Sequence, residues 1–200
     1  MSKKEVYYIG GGTCCGKSSI SDMLQDEYGL SVYHLDEDLF PFIQRASDEG
    51  SELATYTIQR IGDRMWLRPP EELCAEELEL YRLIFSYAQQ AVKNTAGYRV
   101  LAEGAGFLPE LVKEAGVEYS RYICIAPTPS FQWEKYSQRE WVQQVLADIS
   151  DREQAFANWM QRDVLFGEQA MQDAERLGYA TLQVDGSRTI RQNFKAIVDV

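Results

Sequence analysis

Eight consecutive residues constrain this chain more than anything else in it. Gly11-Gly12-Thr13-Cys14-Cys15-Gly16-Lys17-Ser18 meets the pattern Gly-x4-Gly-Lys-Ser/Thr without a gap. The pattern carries a mechanism. Glycines let backbone N–H groups close around phosphates, the lysine reaches the outer phosphates, and the serine hydroxyl ligates Mg²⁺. It also dictates local structure, because such a loop works between a strand and a helix N-terminus, where dipole and amides point at an anion. Both flanks comply. Val6-Tyr7-Tyr8-Ile9 reads as a buried strand entering the loop, and Ile20, Met23, Leu24, Glu27 and Tyr28 fall near helical spacing before a stop at Gly29. Gly11 to Ser18, with the adjoining Ser19, are therefore expected to hold a nucleoside triphosphate.

At 200 residues the chain fits one domain, residues 1–200, with a substantial core. A net charge of −11 argues against nucleic acid as a partner, since a strand-binding surface is normally basic. No apolar run approaches the roughly 20 residues that span a bilayer, so no membrane association is expected. Met1-Ser2-Lys3-Lys4-Glu5 leads straight into the first strand, leaving no room for a leader. The four cysteines match no metal-site spacing and are too few for a disulfide scaffold, which predicts a reduced, cytoplasmic setting. Composition leaves monomer and homodimer equally open.

Strands alternate with helices along the chain. Ser31 to Leu35, Arg99 to Ala102, Tyr119 to Ala126 and Tyr179 to Val184 read as the second to fifth strands, which predicts a parallel sheet with right-handed crossovers. A helix from about Pro70 to Thr95 carries Leu73, Leu80, Tyr81, Ile84, Phe85, Ala88 and Val92 inward. A second opens with a capping box at Ser150-Asp151-Arg152-Glu153 and ends near Gly178, and Asp163 sits on its apolar stripe. The last helix turns Ile190, Phe194, Ile197 and Val198 to the core. Residues 39–68 and 129–149 depart from the alternation. The first contains a helical segment around Leu53 to Trp66.

With Ile9-Gly10 and Ser19 at its ends, the loop resembles those of small-molecule kinases in the nucleoside-monophosphate-kinase-like branch of phosphate-loop proteins. The chloramphenicol-phosphotransferase-like and the shikimate- and gluconate-kinase-like enzymes are the nearest in pattern. The resemblance covers element order over nearly the whole chain, but residue motifs only near the loop and the ends of strands two and three. It implies a three-layer α/β fold with five parallel strands in the order 2-3-1-4-5. It also implies an acceptor-binding helical insertion over residues 39–68 and a lid over residues 129–163. ATP and Mg²⁺ are the cofactors it implies, and a small-molecule acceptor is the partner.

Within that resemblance His34-Leu35-Asp36-Glu37-Asp38 is where an aspartate orients or deprotonates the acceptor hydroxyl, Asp36 first and Asp38 second. Glu103, closing Val100-Leu101-Ala102-Glu103-Gly104, stands where a carboxylate supports Mg²⁺ or the acceptor, although the usual residue there is an aspartate. A lid cation should face the transferring phosphate. Of Arg139, Arg152 and Arg162, the last is favoured because Asp163 beside it needs a charge partner. Arg188, after the Asp185-Gly186 turn, is expected at the adenine. Arg60, Arg64 and Arg68 would form one basic stripe on a continuous helix, read first as a solvated face paired with Asp63 and nearby glutamates. Cys14 and Cys15 read as small fillers, with redox sensitivity the other option at a helix N-terminus. His34, the only histidine, reads as packed within its strand. These readings describe a kinase with Lys17, Asp36, Glu103 and Arg162 as its catalytic residues. A nucleoside monophosphate kinase and a nucleotide-binding regulatory module without acceptor turnover are the alternatives. A nucleic-acid 5′-kinase is disfavoured by the acidic charge.

Overall fold

A computed structural model describes residues 4–198. Residues 1–3, on which the expectation of no leader partly rests, and residues 199–200 lie outside them. The chain runs β1 (Glu5–Gly10), α1 (Lys17–Tyr28), β2 (Ser31–His34), α2 (Leu35–Asp48), α3 (Glu52–Gln59), α4 (Asp63–Trp66) and α5 (Pro70–Asn94). It continues through β3 (Arg99–Glu103), α6 (Pro109–Glu114), β4 (Tyr122–Pro127), α7 (Pro129–Ser137), α8 (Glu140–Val145), α9 (Arg152–Arg176), β5 (Ala180–Val184) and α10 (Ile190–Val198). The five strands form one sheet, all parallel, in the order β2-β3-β1-β4-β5, as the resemblance implies.

Helices cover both faces because a parallel sheet requires crossovers and leaves neither face to water. On one side Val100, Ala102, Tyr122 and Cys124 meet Ala88 and Val92 of α5 and Ala170 and Ala174 of α9. On the other Ile9, Leu101, Ile123 and Ile125 meet Ile20 of α1 and Phe194 of α10. Val100, Leu101 and Ala102 thus alternate between the two faces, as a strand's period of two demands. Prolines at the first turns of α5, α6 and α7 start helices whose leading N–H has no partner to lose.

Several boundaries move. Leu35 opens α2 instead of closing β2, and Tyr119–Arg121 forms a 3-10 turn ahead of β4. The cap of α9 is Asp151, which accepts from the Gln154 amide at 3.0 Å, so the expected box on Ser150 does not form. Ile190 and Val198 stay exposed on α10, leaving Phe194 as its buried anchor. The largest change lies in the stretch read as one helix around Leu53 to Trp66. It breaks between α3 and α4, where Gly62 adopts a positive φ of 61°. The two inserted regions also share a core: Trp66 of α4 packs with Tyr136, Val142, Leu146 and Trp159 in a cluster apart from the sheet. Among the described residues no helix is long and apolar enough to cross a membrane.

Candidate functional site

Strand register brings the first site residues together. In the parallel ladder Glu103 stands opposite Ile9 on one side and His34 on the other, so the ends of β1, β2 and β3 meet at one level beside the glycine loop. Open α/β sheets bind ligands beyond these carboxyl ends. The loop itself alternates in handedness, with φ of 103° at Gly11, 59° at Cys14 and 84° at Gly16. Successive N–H groups in such a sequence turn toward one side and make a concave seat for an anion. Gly11 is required for space as well as conformation, since a Cβ there would meet the Ile125 carbonyl at 2.2 Å. Gly16 has no side chain to cap α1, so the helix N-terminus keeps its field.

Lys17 is 9% exposed, and its Nζ donates to the Gly12 carbonyl at 2.5 Å and the Gly11 carbonyl at 3.4 Å. It has no carboxylate in ion-pair contact among the described residues. Burial alone would lower its pKa, yet Cys15, Glu103 and Asp36 raise it more, so the ammonium stays charged. Ser18 is exposed at the loop mouth, and its Oγ donates to Glu103 Oε1 at 3.0 Å. The same carboxylate oxygen lies 2.7 Å from His34 Nδ1. Magnesium keeps most of its water and takes few protein ligands, so an exposed serine backed by a buried carboxylate fits it. Ser19 is exposed beside Ser18.

Asp36 sits in the first turn of α2, exposed to solvent yet crowded by protein. That crowding raises its pKa above the ordinary 3.8, Glu103 acts the same way, and Lys17 and His34 pull against both. Asp38 instead accepts the Tyr33 hydroxyl at 3.0 Å, which separates the two aspartates.

The α9 side is tied to the loop through Thr13, whose Oγ1 donates to Asp163 Oδ2 at 2.9 Å. Arg162 lies 2.5 Å from Asp163 Oδ1 and 2.7 Å from Glu77 Oε2, with Cζ 5.5 Å from the Trp66 ring centre. Burial raises the pKa of Glu77, and Arg162 only partly opposes it. Arg152 is turned away, donating to the Ala147 carbonyl. Arg139 caps the start of α8, exposed beside Tyr136 and Trp141. It lines a cavity of about 460 Å³ together with Cys14, Gly16, Phe131, Arg188 and Asn193.

Two readings change, those of the three arginines and of His34, and the redox option for the loop cysteines loses ground. Arg60, Arg64 and Arg68 do not form a stripe. Arg60 is buried against Glu76, Arg68 holds Glu76 at 2.6 Å and Glu72 at 2.9 Å, and Arg64 is exposed. Asp63 faces elsewhere, accepting the Ser150 amide at 2.8 Å. The two loop thiols are not activated. Burial pushes Cys14 up to about 11 and also raises Cys15, which donates to the Gly12 and Ile125 carbonyls. His34, read as packed, belongs to the site. Its signal in the sequence was its place at a strand's carboxyl end, two residues before Asp36.

No protein-family model and no curated protein matches the chain. Solved structures do. TT1252 from Thermus thermophilus is similar at 17% identity and a TM-score of 0.53, over 99% of this chain and 98% of that one. The fold is shared. Shikimate kinase from Aquifex aeolicus follows at 15% identity and 0.44, over 96% and 93% of the two chains. Shikimate kinase from Bacteroides thetaiotaomicron stands at 11% identity and 0.49, over 98% and 94%. The likeness to TT1252 concerns the fold alone, and the two lower scores are too low to argue from.

Proposed function

We propose that the protein is an ATP- and Mg²⁺-dependent kinase that moves the γ-phosphoryl group to a hydroxyl of a small metabolite. The observation that carries this reading is Lys17, a buried ammonium whose hydrogen bonds among the described residues go to carbonyl oxygens, within a loop bent at three positive-φ residues. Nearby Glu103 and Asp36 keep it charged without touching it, which leaves the ammonium free to meet phosphate oxygens directly. Gly11 to Ser19 hold the phosphates, and Ser18 with Glu103 holds the cation, which when bound neutralises charge on the phosphate oxygens. Asp36, electrostatically linked to Lys17 across the cleft, accepts the proton of the attacking hydroxyl. Its raised pKa strengthens it as a base while leaving the acceptor side open to solvent. Arg162, paired with Glu77 and Asp163, steadies Thr13 of the loop through the Asp163 carboxylate. Arg139 and Arg188 line the cavity on the far side of the loop, where the adenine belongs.

A nucleoside monophosphate acceptor would need guanidiniums free to grip its phosphate. Arg60, Arg68 and Arg162 are already engaged by Glu76, Glu72, Glu77 and Asp163, which favours an acceptor without a phosphate of its own.

The test incubates γ-labelled ATP and Mg²⁺ with a small-metabolite extract, comparing wild type with Lys17→Ala. Label in a new compound only with the wild type supports the kinase, and that compound's mass gives the acceptor class. Tight ATP binding with no transfer from repeated extracts would sink it and leave a regulatory nucleotide-binding module.

A further inference from the structure

We infer that His34 is a positioning residue: it holds the Glu103 carboxylate against Ser18 and so presets the oxygen that receives the metal. This rests on the assignment of Ser18 and Glu103 to the cation. Glu103 is 2% exposed, and a carboxylate that deep is tolerable only when its oxygens have donors. Oε1 has two donors, the Ser18 hydroxyl at 3.0 Å and His34 Nδ1 at 2.7 Å. A carboxylate only accepts, so the contact places a proton on Nδ1 and fixes the tautomer of the ring.

The arrangement follows from the sheet. His34 and Glu103 are register partners on adjacent parallel strands, so their side chains leave the same face at the same level. Packing alone would not select an imidazole here, because the His34 side chain is 25% exposed at the edge of the cleft. What the position needs is a short, rigid N–H donor reaching sideways along the strand ends. Without it Glu103 would keep, among the described residues, the exposed Ser18 hydroxyl as its side-chain donor, with its charge still felt by the buried Lys17 ammonium. A carboxylate released from this position would leave the serine hydroxyl unoriented and the place of the metal unset. Partners of metal-supporting ligands matter about 10–100-fold for metal affinity.

The test reads metal binding without turnover. Mn²⁺ is titrated into the protein–ADP complex and followed by the loss of its free EPR signal, for wild type, His34→Ala, His34→Asn and Ser18→Ala. His34→Ala is expected to weaken Mn²⁺ about 10–100-fold while metal-free ADP affinity stays within about twofold of wild type. His34→Asn, whose amide N–H points as Nδ1 does, is expected to recover most of the loss. The inference is overturned if His34→Ala titrates like wild type, if His34→Asn is as weak as His34→Ala, or if metal-free ADP binding falls in parallel. Should Ser18→Ala bind Mn²⁺ as wild type does, the metal assignment fails and takes the inference with it. Absence of any acceptor turnover would leave these readouts untouched, so failure of the kinase reading is distinguishable.

Discussion

Lys17 and Arg60 are buried to the same degree, 9% and 8% exposed, yet one rests on carbonyl oxygens and the other on a glutamate. The contrast extends to the regions around them. The phosphate-loop side holds a cation in contact with no carboxylate among the described residues, beneath a loop whose backbone is bent through three left-handed residues, Gly11, Cys14 and Gly16. Cys14 tolerates this at a cost of about 1–2 kcal/mol, since it carries a Cβ that glycine lacks. The side proposed for the acceptor holds guanidiniums in contact with Glu72, Glu76, Glu77 and Asp163. A region with backbone strain and a cation touching no carboxylate is shaped for a ligand that completes it. A region whose cations already touch carboxylates selects by shape and disfavours highly charged guests.

Removing the Lys17 cation should break the comparison most completely. Lys17→Ala is expected to lower phosphoryl transfer about 10³–10⁵-fold, as loss of a cation on the transferring group does. Transfer within tenfold of wild type would mean that the lysine is not the charge that matters. Next in size is Asp36→Asn, with kcat down about 10²–10⁴-fold and the KM for ATP little changed. Its stability should move the other way. The folded pKa of Asp36 lies above 3.8, so its ionised form costs stability above the folded pKa, and the cost fades as pH falls toward 3.8. Asp36→Asn should therefore melt above wild type at pH 7, with the gap closing on acidification. A gap that widened in acid would contradict the crowding described for this carboxylate.

Glu76→Gln sharpens the acceptor half. It leaves Arg60, with a side chain 7% exposed, without its carboxylate. Because Glu76 is itself 24% exposed, the expected loss is about 2–3 kcal/mol, below that of a fully buried pair. Tm should fall by roughly 4–12 °C in a domain of this size, and binding of phosphate-bearing small molecules should strengthen. An unchanged Tm would remove charge balance as the organising feature of that side. The smallest effect is expected at Cys14. With its thiol held up to about 11, iodoacetamide at pH 8 should leave turnover within about twofold of untreated enzyme, and alkylation should accelerate only as pH approaches 11. Rapid inactivation at pH 8 would restore the redox option.

What was legible in the sequence was local. Short apolar runs bounded by glycine or proline marked the strands, and a strand's end marks where Asp36 and Glu103 stand. The side-chain pairings were not legible, because each needs two distant segments in known register. Thr13 and Asp163 lie 150 positions apart, and His34 meets Glu103 across 69 through the order of the sheet. Arg60 shows a different failure. Its four-residue spacing to Arg64 and Arg68 is helical, but Gly62 breaks the helix, and spacing loses its meaning across a break. Likewise Asp38 stands as the second candidate behind Asp36 by position, until the Tyr33 hydroxyl takes it.

All four tryptophans, Trp66, Trp133, Trp141 and Trp159, lie in the inserted helices or on α9 beside them, and none is in the sheet. Trp66 and Trp159 stack at 4.4 Å between ring centres with 23° between planes, and Trp141 approaches the same pair at 5.7 Å. Light absorbed near 295 nm is thus taken up almost entirely by α4, α7, α8 and α9. The emission of the unlabelled protein excited there reports how those helices are packed, with the phosphate loop and sheet, which hold no tryptophan, silent at that wavelength.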